Sequence, residues 1–419
     1  MTAIALPATR RVARGGVRRE RHEPAYPLLL AVIALVAIGV VMVYSASSVR
    51  SYLGSADPAA QGLEQLVWAA LGLPLLLFAS RVDFRHLRYL AIPIYVVTLA
   101  LLVVVLIPGI GAELNGSRRW IVIPGLGSIQ PAEFAKFAIV LYLAHWLDRR
   151  GRDVRSLWNG LAPFALIAAP GFVLIALEPD LGTAGVYVLA AGSVLFMAGA
   201  NLLYLGALVG AVLAAAALFI TANAYQLQRI HTFLDPFSDP LRTGYNTVQA
   251  LMALALGGVL GLGLGASKQK YLYLPAPSTD FIFAIIGEEW GLVGALTVLA
   301  LFCVIAYQGY RIAINAPDTF SGLLACGITT WLVAQAAINM AVVTALLPVT
   351  GIPLPFISAG GSALTINLVA VGILLSISRE TTEQGPIFHA NLRFWRRDGR
   401  AHLPRAGRRT RPARRSSRR

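Results

Sequence analysis

Ten apolar runs long enough to cross a bilayer organise this 419-residue chain. A helix needs roughly 20 predominantly apolar residues to span the hydrocarbon core. Runs of that kind fall near residues 26–45, 63–80, 87–107, 131–147, 160–177, 182–199, 202–221, 281–309, 320–347 and 355–377. In lipid every backbone N–H and C=O must be satisfied within the protein, and for runs of this length the helix is the element that does so. The expected fold is therefore an all-α polytopic membrane protein with ten transmembrane helices and a large extracytoplasmic loop, residues 222–280, between the seventh and eighth. Composition excludes a soluble fold, because 57% of residues are apolar and only 13% charged, against about a quarter charged in soluble domains.

A net charge of +15 reads as a nucleic-acid signature until the basic residues are located. With ten spans, 27 of the 35 lysines and arginines fall on one side, in the two tails and in the loops 81–89, 148–159 and 310–319. Cytoplasmic segments carry that excess. Both termini are thus expected in the cytoplasm, the chain in the cell membrane, and no nucleic acid as partner. The basic stretch from Arg10 to Arg21 precedes an apolar run longer than a signal-peptide core, so a signal anchor is expected. The domain reading is a basic cytoplasmic tail (1–25), a membrane domain (26–379) and an Arg-rich, disordered cytoplasmic tail (380–419) placed near anionic headgroups. Cys303 and Cys326 lie inside apolar runs and form neither a disulfide framework nor a CxxC metal site. Residues 248–264 could pass for an eleventh span. Gly257, Gly258, Gly261, Gly263 and Gly265 make a poor lipid-facing helix, and a re-entrant or interfacial element is expected instead.

Ionisable residues in or beside hydrocarbon are costly and mark function by default. Glu133 and Lys136 stand three apart at the start of the fourth span, on one helix face and within pairing distance. The turn EPDLGTA carries Glu178 and Asp180 at the outer mouth of the fifth and sixth spans, where an ordinary Asp/Gly turn is an equally good reading. Glu288 and Glu289 lie about two turns beyond Asp280, which places one of them toward the bundle. Asp280 itself, with Ser278 and Thr279, precedes an apolar run and reads as helix N-capping as readily as chemistry. The segment TGIPLPFISAGGS, Thr350 to Ser362, suits either a tight turn or a substrate crevice. All of these fall at the outer ends of their spans. One-sided clustering favours a site over scattered packing pairs.

Seven ordered motifs carry a family resemblance over residues 26–379: VMVYSAS, NGSRRWI with QPAEFAK, EPDLGTA, LQRIHTFLDPFSDPLRTGYNTVQ, GLGLGASKQKYLYLP, STDFIFAIIGEEWG and LPVTGIPLPFISAGGS. The chain resembles the SEDS family of FtsW, RodA and SpoVE, peptidoglycan glycosyltransferases that polymerise lipid II, and is most similar to the FtsW and SpoVE branch. The resemblance implies ten helices with a large fourth extracytoplasmic loop, Asp280 as the catalytic acid or base, and a functionally important pair at Glu133 and Lys136. It also implies lipid II as substrate and a class B penicillin-binding protein, a transpeptidase, as partner among other divisome or elongasome membrane proteins. Cations for the leaving diphosphate would come from Lys136, Arg229, Arg242, Lys268 or Lys270, or from a divalent cation such as Mg or Mn, with Asp180 and Glu288 as further supporting residues; the metal is left open. The pattern departs at Ala132, Glu178, Ala276 and Ala345, where the family often has Ser, Gln, Glu and Gly. A lipid II flippase and a non-catalytic scaffold are the competing readings; a flippase needs access from both faces, and the polar groups gather at one.

Overall fold

The computed structural model describes residues 23–114, 117–123 and 127–381. The expected basic tail and Arg-rich tail lie outside the described residues, except for 23–25 and 380–381. Within them run the helices α1 (Tyr26–Ser55), α2 (Ala60–Arg81), α3 (Leu87–Leu106), α4 (Pro131–Asp148), α5 (Ala162–Leu177), α6 (Leu181–Met197) and α7 (Leu202–Ala222). They continue as α8 (Ala224–Leu234), α9 (Tyr245–Gly257), α10 (Ile282–Ile314), α11 (Thr319–Val343) and α12 (Gly361–Ser378). Each of the ten apolar runs is helical, and eight of the helices are long and apolar enough to cross a membrane. The other two are α4, whose 18 residues include Glu133, Lys136 and Asp148, and α6, which has 17. The fold is that of a mostly helical, polytopic membrane protein.

Packing sorts these helices by depth. α4, α11 and α12 form the centre, and along α4 and α11 side chains are buried on nearly every face. α11 touches α4 and α6 closely at Gly327, where a Cβ would stand 2.4 Å from Val140 and 2.6 Å from Val194. Small residues of this kind let membrane helices approach when lipid supplies no hydrophobic drive between them. α7 is the opposite case, apolar along its length with no described side chain buried. Such a surface is stable only against lipid.

Between α3 and α4 the chain departs from the all-helical expectation. Strands β1 (Gly111–Leu114), β2 (Ser117–Ile123) and β3 (Gly127–Ile129) form an antiparallel sheet in that order. The run SRRWIVI is rich in β-branched and aromatic residues, which favour a pleated, half-buried surface. Cross-strand pairing also satisfies the backbone of a segment too short to span.

No helix runs through 258–264. α9 stops at Gly257, and the following chain is stitched onto α10 where α10 itself breaks, at Gly291 (φ 65°, ψ −162°). The break frees the carbonyls of Glu288 and Glu289, which accept from the amides of Leu262 and Gly263 at 3.0 Å each. In return the amides of Leu292 and Val293 donate to the carbonyls of Gly258 (2.9 Å) and Val259 (3.2 Å). The backbones are so close that a Cβ on Gly261 would lie 2.1 Å from the Glu289 carbonyl oxygen, so only glycine fits.

Candidate active site

Three segments meet at the end of the bundle that carries the sheet and the long loop: residues 276–281 ahead of α10, residues 350–360 ahead of α12, and the turn 178–180 between α5 and α6. The first is gripped by its main chain. Ser278 O accepts from the amide of Ala359 (2.9 Å), Thr279 O from the Ser358 hydroxyl (2.6 Å) and Asp280 O from the Asn339 side-chain amide (2.8 Å). Three consecutive carbonyls are thereby tied to α11 and the last loop. None of the three side chains caps α10, since the N-cap residue is Phe281 and no side chain fills that role. The Ser278 hydroxyl donates to Gln61 (3.2 Å) and that of Thr279 to the Ala276 carbonyl (3.4 Å). The N-capping reading of Ser278, Thr279 and Asp280 does not hold.

With its backbone fixed, the half-buried Asp280 carboxylate accepts no hydrogen bond from the described residues. Burial pushes its pKa up to about 6, the Asp180 carboxylate adds to the rise, and the guanidiniums of Arg119 and Arg229 oppose it. These three charged groups are the electrostatic surroundings of Asp280. Gly351 (φ 76°) packs its backbone beside the carboxylate: a Cβ there would stand 3.5 Å from Asp280 Oδ2.

Asp180 is the buried N-cap of α6. It accepts from the Thr183 amide (3.0 Å) and hydroxyl (2.9 Å) and from the Gln130 side-chain amide at 3.5 Å. Arg119, on β2, reaches Asp180 at 3.7 Å and donates to the carbonyls of Glu178 (2.9 Å) and Pro179 (2.6 Å), clamping the turn. Glu178 is fully buried, and neither of its carboxyl oxygens has a hydrogen-bond partner among the described residues. Burial, reinforced by Asp180 against the pull of Arg119, raises its pKa to about 9. It is a neutral carboxylic acid at neutral pH.

The remaining expected residues separate into groups. Arg229, on α8, lines a cavity of about 170 Å³ with Thr232, Thr243, Asn246 and Val349. Glu133 and Lys136 are paired at 2.7 Å and wholly buried within α4, apart from Asp280. Lys270 is engaged elsewhere, with Glu289 (3.5 Å), the Ser45 hydroxyl (3.4 Å) and the Gly265 carbonyl. Glu288 accepts from the Ser267 hydroxyl (2.5 Å) and the amides of Lys268 (2.8 Å) and Gln269 (3.4 Å). Lys270 and Glu288 therefore hold the loop 265–270 in place. Arg242 and Lys268 are exposed. Among the described residues no group of three or more His, Cys, Asp or Glu could hold a metal ion.

Sequence reasoning missed Arg119 as a site residue, along with Asn339 and Ser358. Arg119 was legible as one of two adjacent arginines on the side poor in basic residues. Asn339 was legible as an amide inside an apolar span, where polar groups are expensive. The site as assembled offers one carboxylate that accepts no hydrogen bond from the described residues, its pKa raised by burial to about 6, within electrostatic reach of two guanidiniums. That arrangement can accept a proton and hold an anion side by side.

Comparison with known proteins agrees with this fold. The family model of FtsW, RodA and SpoVE, described as cell cycle proteins, matches residues 26–383. Stage V sporulation protein E of Bacillus subtilis (strain 168) is 41% identical over 368 residues, covering 86% of this chain and 98% of its own. A probable peptidoglycan glycosyltransferase FtsW of Geobacter sulfurreducens is 42% identical over 352 residues, covering 84% and 94%. Among solved structures, a chain of a peptidoglycan synthase complex that coordinates polymerization and crosslinking superposes with a TM-score of 0.70 at 32% identity, over 86% of this chain and 99% of that one. The rod shape determining protein RodA of Thermus thermophilus does so with a TM-score of 0.63 at 29% identity, over 86% and 98%. The chain belongs to the FtsW, RodA and SpoVE family of cell cycle proteins.

Proposed function

We propose that the protein is a peptidoglycan glycosyltransferase that polymerises lipid II at the outer face of the cell membrane, with Asp280 as general base. The carrying observation is the Asp280 carboxylate: fixed through its backbone, short of donors and raised to about 6. A sugar hydroxyl is a poor nucleophile, and a carboxylate that takes its proton as the new bond forms contributes roughly 10² to 10⁴ in rate. The 4-hydroxyl oxygen of the acceptor GlcNAc attacks the anomeric carbon of the donor MurNAc and its proton passes to Asp280. The bond from that carbon to the diphosphate breaks, and undecaprenyl diphosphate leaves with the electron pair. Glycosidases need a second carboxyl group to protonate their leaving group, whereas a diphosphate departs as a stabilised anion. Arg119 and Arg229 are the cations placed to meet it.

Topology completes the reading. Ten spans, with both termini cytoplasmic and 222–280 as an extracytoplasmic loop, put Asp280 at the outer membrane surface, where the lipid-linked sugar is presented. The family relative solved within a peptidoglycan synthase complex supports a penicillin-binding protein as partner, the transpeptidase that cross-links the strands.

The test uses purified protein, labelled lipid II and the cognate transpeptidase inactivated in its own active site. Wild-type protein is expected to yield glycan strands, and Asp280→Asn none while retaining its thermal transition. Full polymerisation by Asp280→Asn overturns the base assignment. Translocation of lipid II without strands by the wild type would make the protein a flippase, and neither activity would make it a scaffold.

A further inference from the structure

The buried Glu133–Lys136 pair has no direct contact with Asp280, yet hydrogen bonds to one stretch of loop backbone, Ile352–Pro353, link it to the main chain of Asp280. Lys136 Nζ donates to Gln335 Oε1 (2.5 Å), which also accepts from Trp331 Nε1 at 3.1 Å. Gln335 Nε2 donates to the carbonyl of Pro353 at 3.0 Å. One turn further along α11, both N–H groups of the Asn339 amide are used, on the carbonyls of Ile352 and Asp280 at 2.8 Å each. Residues four apart share a helix face, so two amides on α11 hold two consecutive loop carbonyls. One of those amides holds Asp280 as well.

The orientation of each amide is forced. Turning Gln335 over would set its NH₂ against an ammonium and an indole N–H. Turning Asn339 over would leave two carbonyls without donors. Gln335 is wholly buried and Asn339 nearly so, at 0% and 1% exposure. The bond from Lys136 to Gln335 is wholly buried and charge-assisted, which makes it the strongest of them. The ion pair thereby fixes Gln335, Gln335 fixes residues 352–353, and that loop shares Asn339 with Asp280.

Resting on the reading of Asp280 as base, we infer that Gln335 and Asn339 are positioning residues for it and that the Glu133–Lys136 pair is the anchor of this arrangement. Neither amide touches the reacting atoms. Their work is to keep the carboxylate where the acceptor hydroxyl arrives, and misplacement by about 1 Å can cost about 10²-fold in rate.

Glycan synthesis by full-length protein with its transpeptidase partner, measured across pH, tests this. Gln335→Leu and Asn339→Leu are expected to lower kcat roughly 10- to 100-fold with KM for lipid II within about twofold. They should also move the acid limb of the profile below its wild-type position near 6, because a loosened mouth readmits water to Asp280. The charged groups facing Asp280 are Asp180 from α6, Arg119 from β2 and Arg229 from α8, and none of them is altered. Leu332→Ala, a cavity on the same helix, is the control and should leave the limb in place. Gln335→Glu retains the shape and the acceptor for Lys136 but loses the donor to Pro353, and carries the test if the leucine variant does not fold. An unchanged kcat in folded variants, or a loss equal to that of Leu332→Ala with no shift of the limb, overturns the inference. Failure of the base reading is seen separately, as full activity in Asp280→Asn.

Discussion

Two acidic stations stand eight residues apart in the segment STDFIFAIIGEEWG, and they are built in opposite ways. At Asp280 the main chain is tied down and the carboxylate is left without a donor. At Glu288 and Glu289 the side chains are the ties: Glu288 receives three donors from residues 267–269, and Glu289 receives the Ser45 hydroxyl (2.7 Å), the Ser267 amide (3.3 Å) and Lys270. Burying a carboxylate costs free energy unless hydrogen bonds or an opposite charge replace water. Glu288 recovers that cost through both oxygens and Glu289 through Oε1, and together they hold a loop. Asp280 does not recover it and keeps a raised proton affinity, a liability to the fold that is useful to chemistry.

The contrast is broken most sharply at Asp280. Asp280→Asn retains shape and removes the base, so strand synthesis should fall by about 10² to 10⁴ with no loss of thermal stability. In the wild type, kcat should decline as pH falls through about 6, because protonation removes the free base. Activity that stays flat from pH 7.5 to 5 would separate the titration of Asp280 from the rate. Glu288→Ala should do the reverse. It orphans one hydroxyl and two amides in a buried setting, at about 1 to 3 kcal/mol each, and is expected to lower the thermal transition by several degrees. Activity should track the folded fraction, which size-exclusion profiles alongside the strand assay would report. If Glu288→Ala instead leaves the melting temperature alone and kills turnover, the two stations are not divided as argued.

The spans were legible in the sequence; the division between the two stations was not. Continuous apolar runs located the helices, because long spans must be helical in lipid, although α1 runs ten residues past its expected end, to Ser55, and α12 starts at Gly361, six after its expected start. What failed were local competitions. Ser278, Thr279 and Asp280 carry the signature of an N-cap, yet the chain enters α10 with its hydroxyls spent on Gln61 and Ala276. Lys270 and Glu288 read as possible site charges because sequence gives sign and span but not partner. Only the fold shows that each is saturated. The sheet at 111–129 was hidden for another reason: three- to seven-residue strands are too short for a period to stand out beside spans of 20. The amides of Gln335 and Asn339 were visible in an otherwise apolar run, but their bonds join carbonyls far apart in sequence.

Glu178 tests the same contrast at a smaller scale, as a carboxyl group with neither donors nor a backbone-fixed catalytic position. Its pKa is raised from 4.5 to about 9. Between those values the folded state holds a proton that the unfolded state has released, so stability should fall as pH rises across that window. At pH 7 the cost is roughly 3 kcal/mol. Glu178→Gln replaces a neutral acid by a neutral amide. It should leave strand synthesis within about threefold while flattening the decline of melting temperature between pH 5 and 8. A steep decline that persists in Glu178→Gln would assign that dependence to another group.

The smallest effect is expected at Arg242, and its smallness is informative. Sequence placed Arg242 beside Arg229 as a cation for the diphosphate, since both lie in one loop on one side of the membrane. The structure gives them different surroundings: Arg229 acts electrostatically on Asp280 and lines a cavity, whereas Arg242 is exposed in the turn before α9. An exposed charge is screened within about 8 to 10 Å at physiological salt, so Arg242→Ala should change kcat/KM by less than about twofold. A loss above about tenfold would mean that the loop 235–244 folds over the site when substrate is bound. The cation set would then include Arg242 beside the two guanidiniums that act on Asp280.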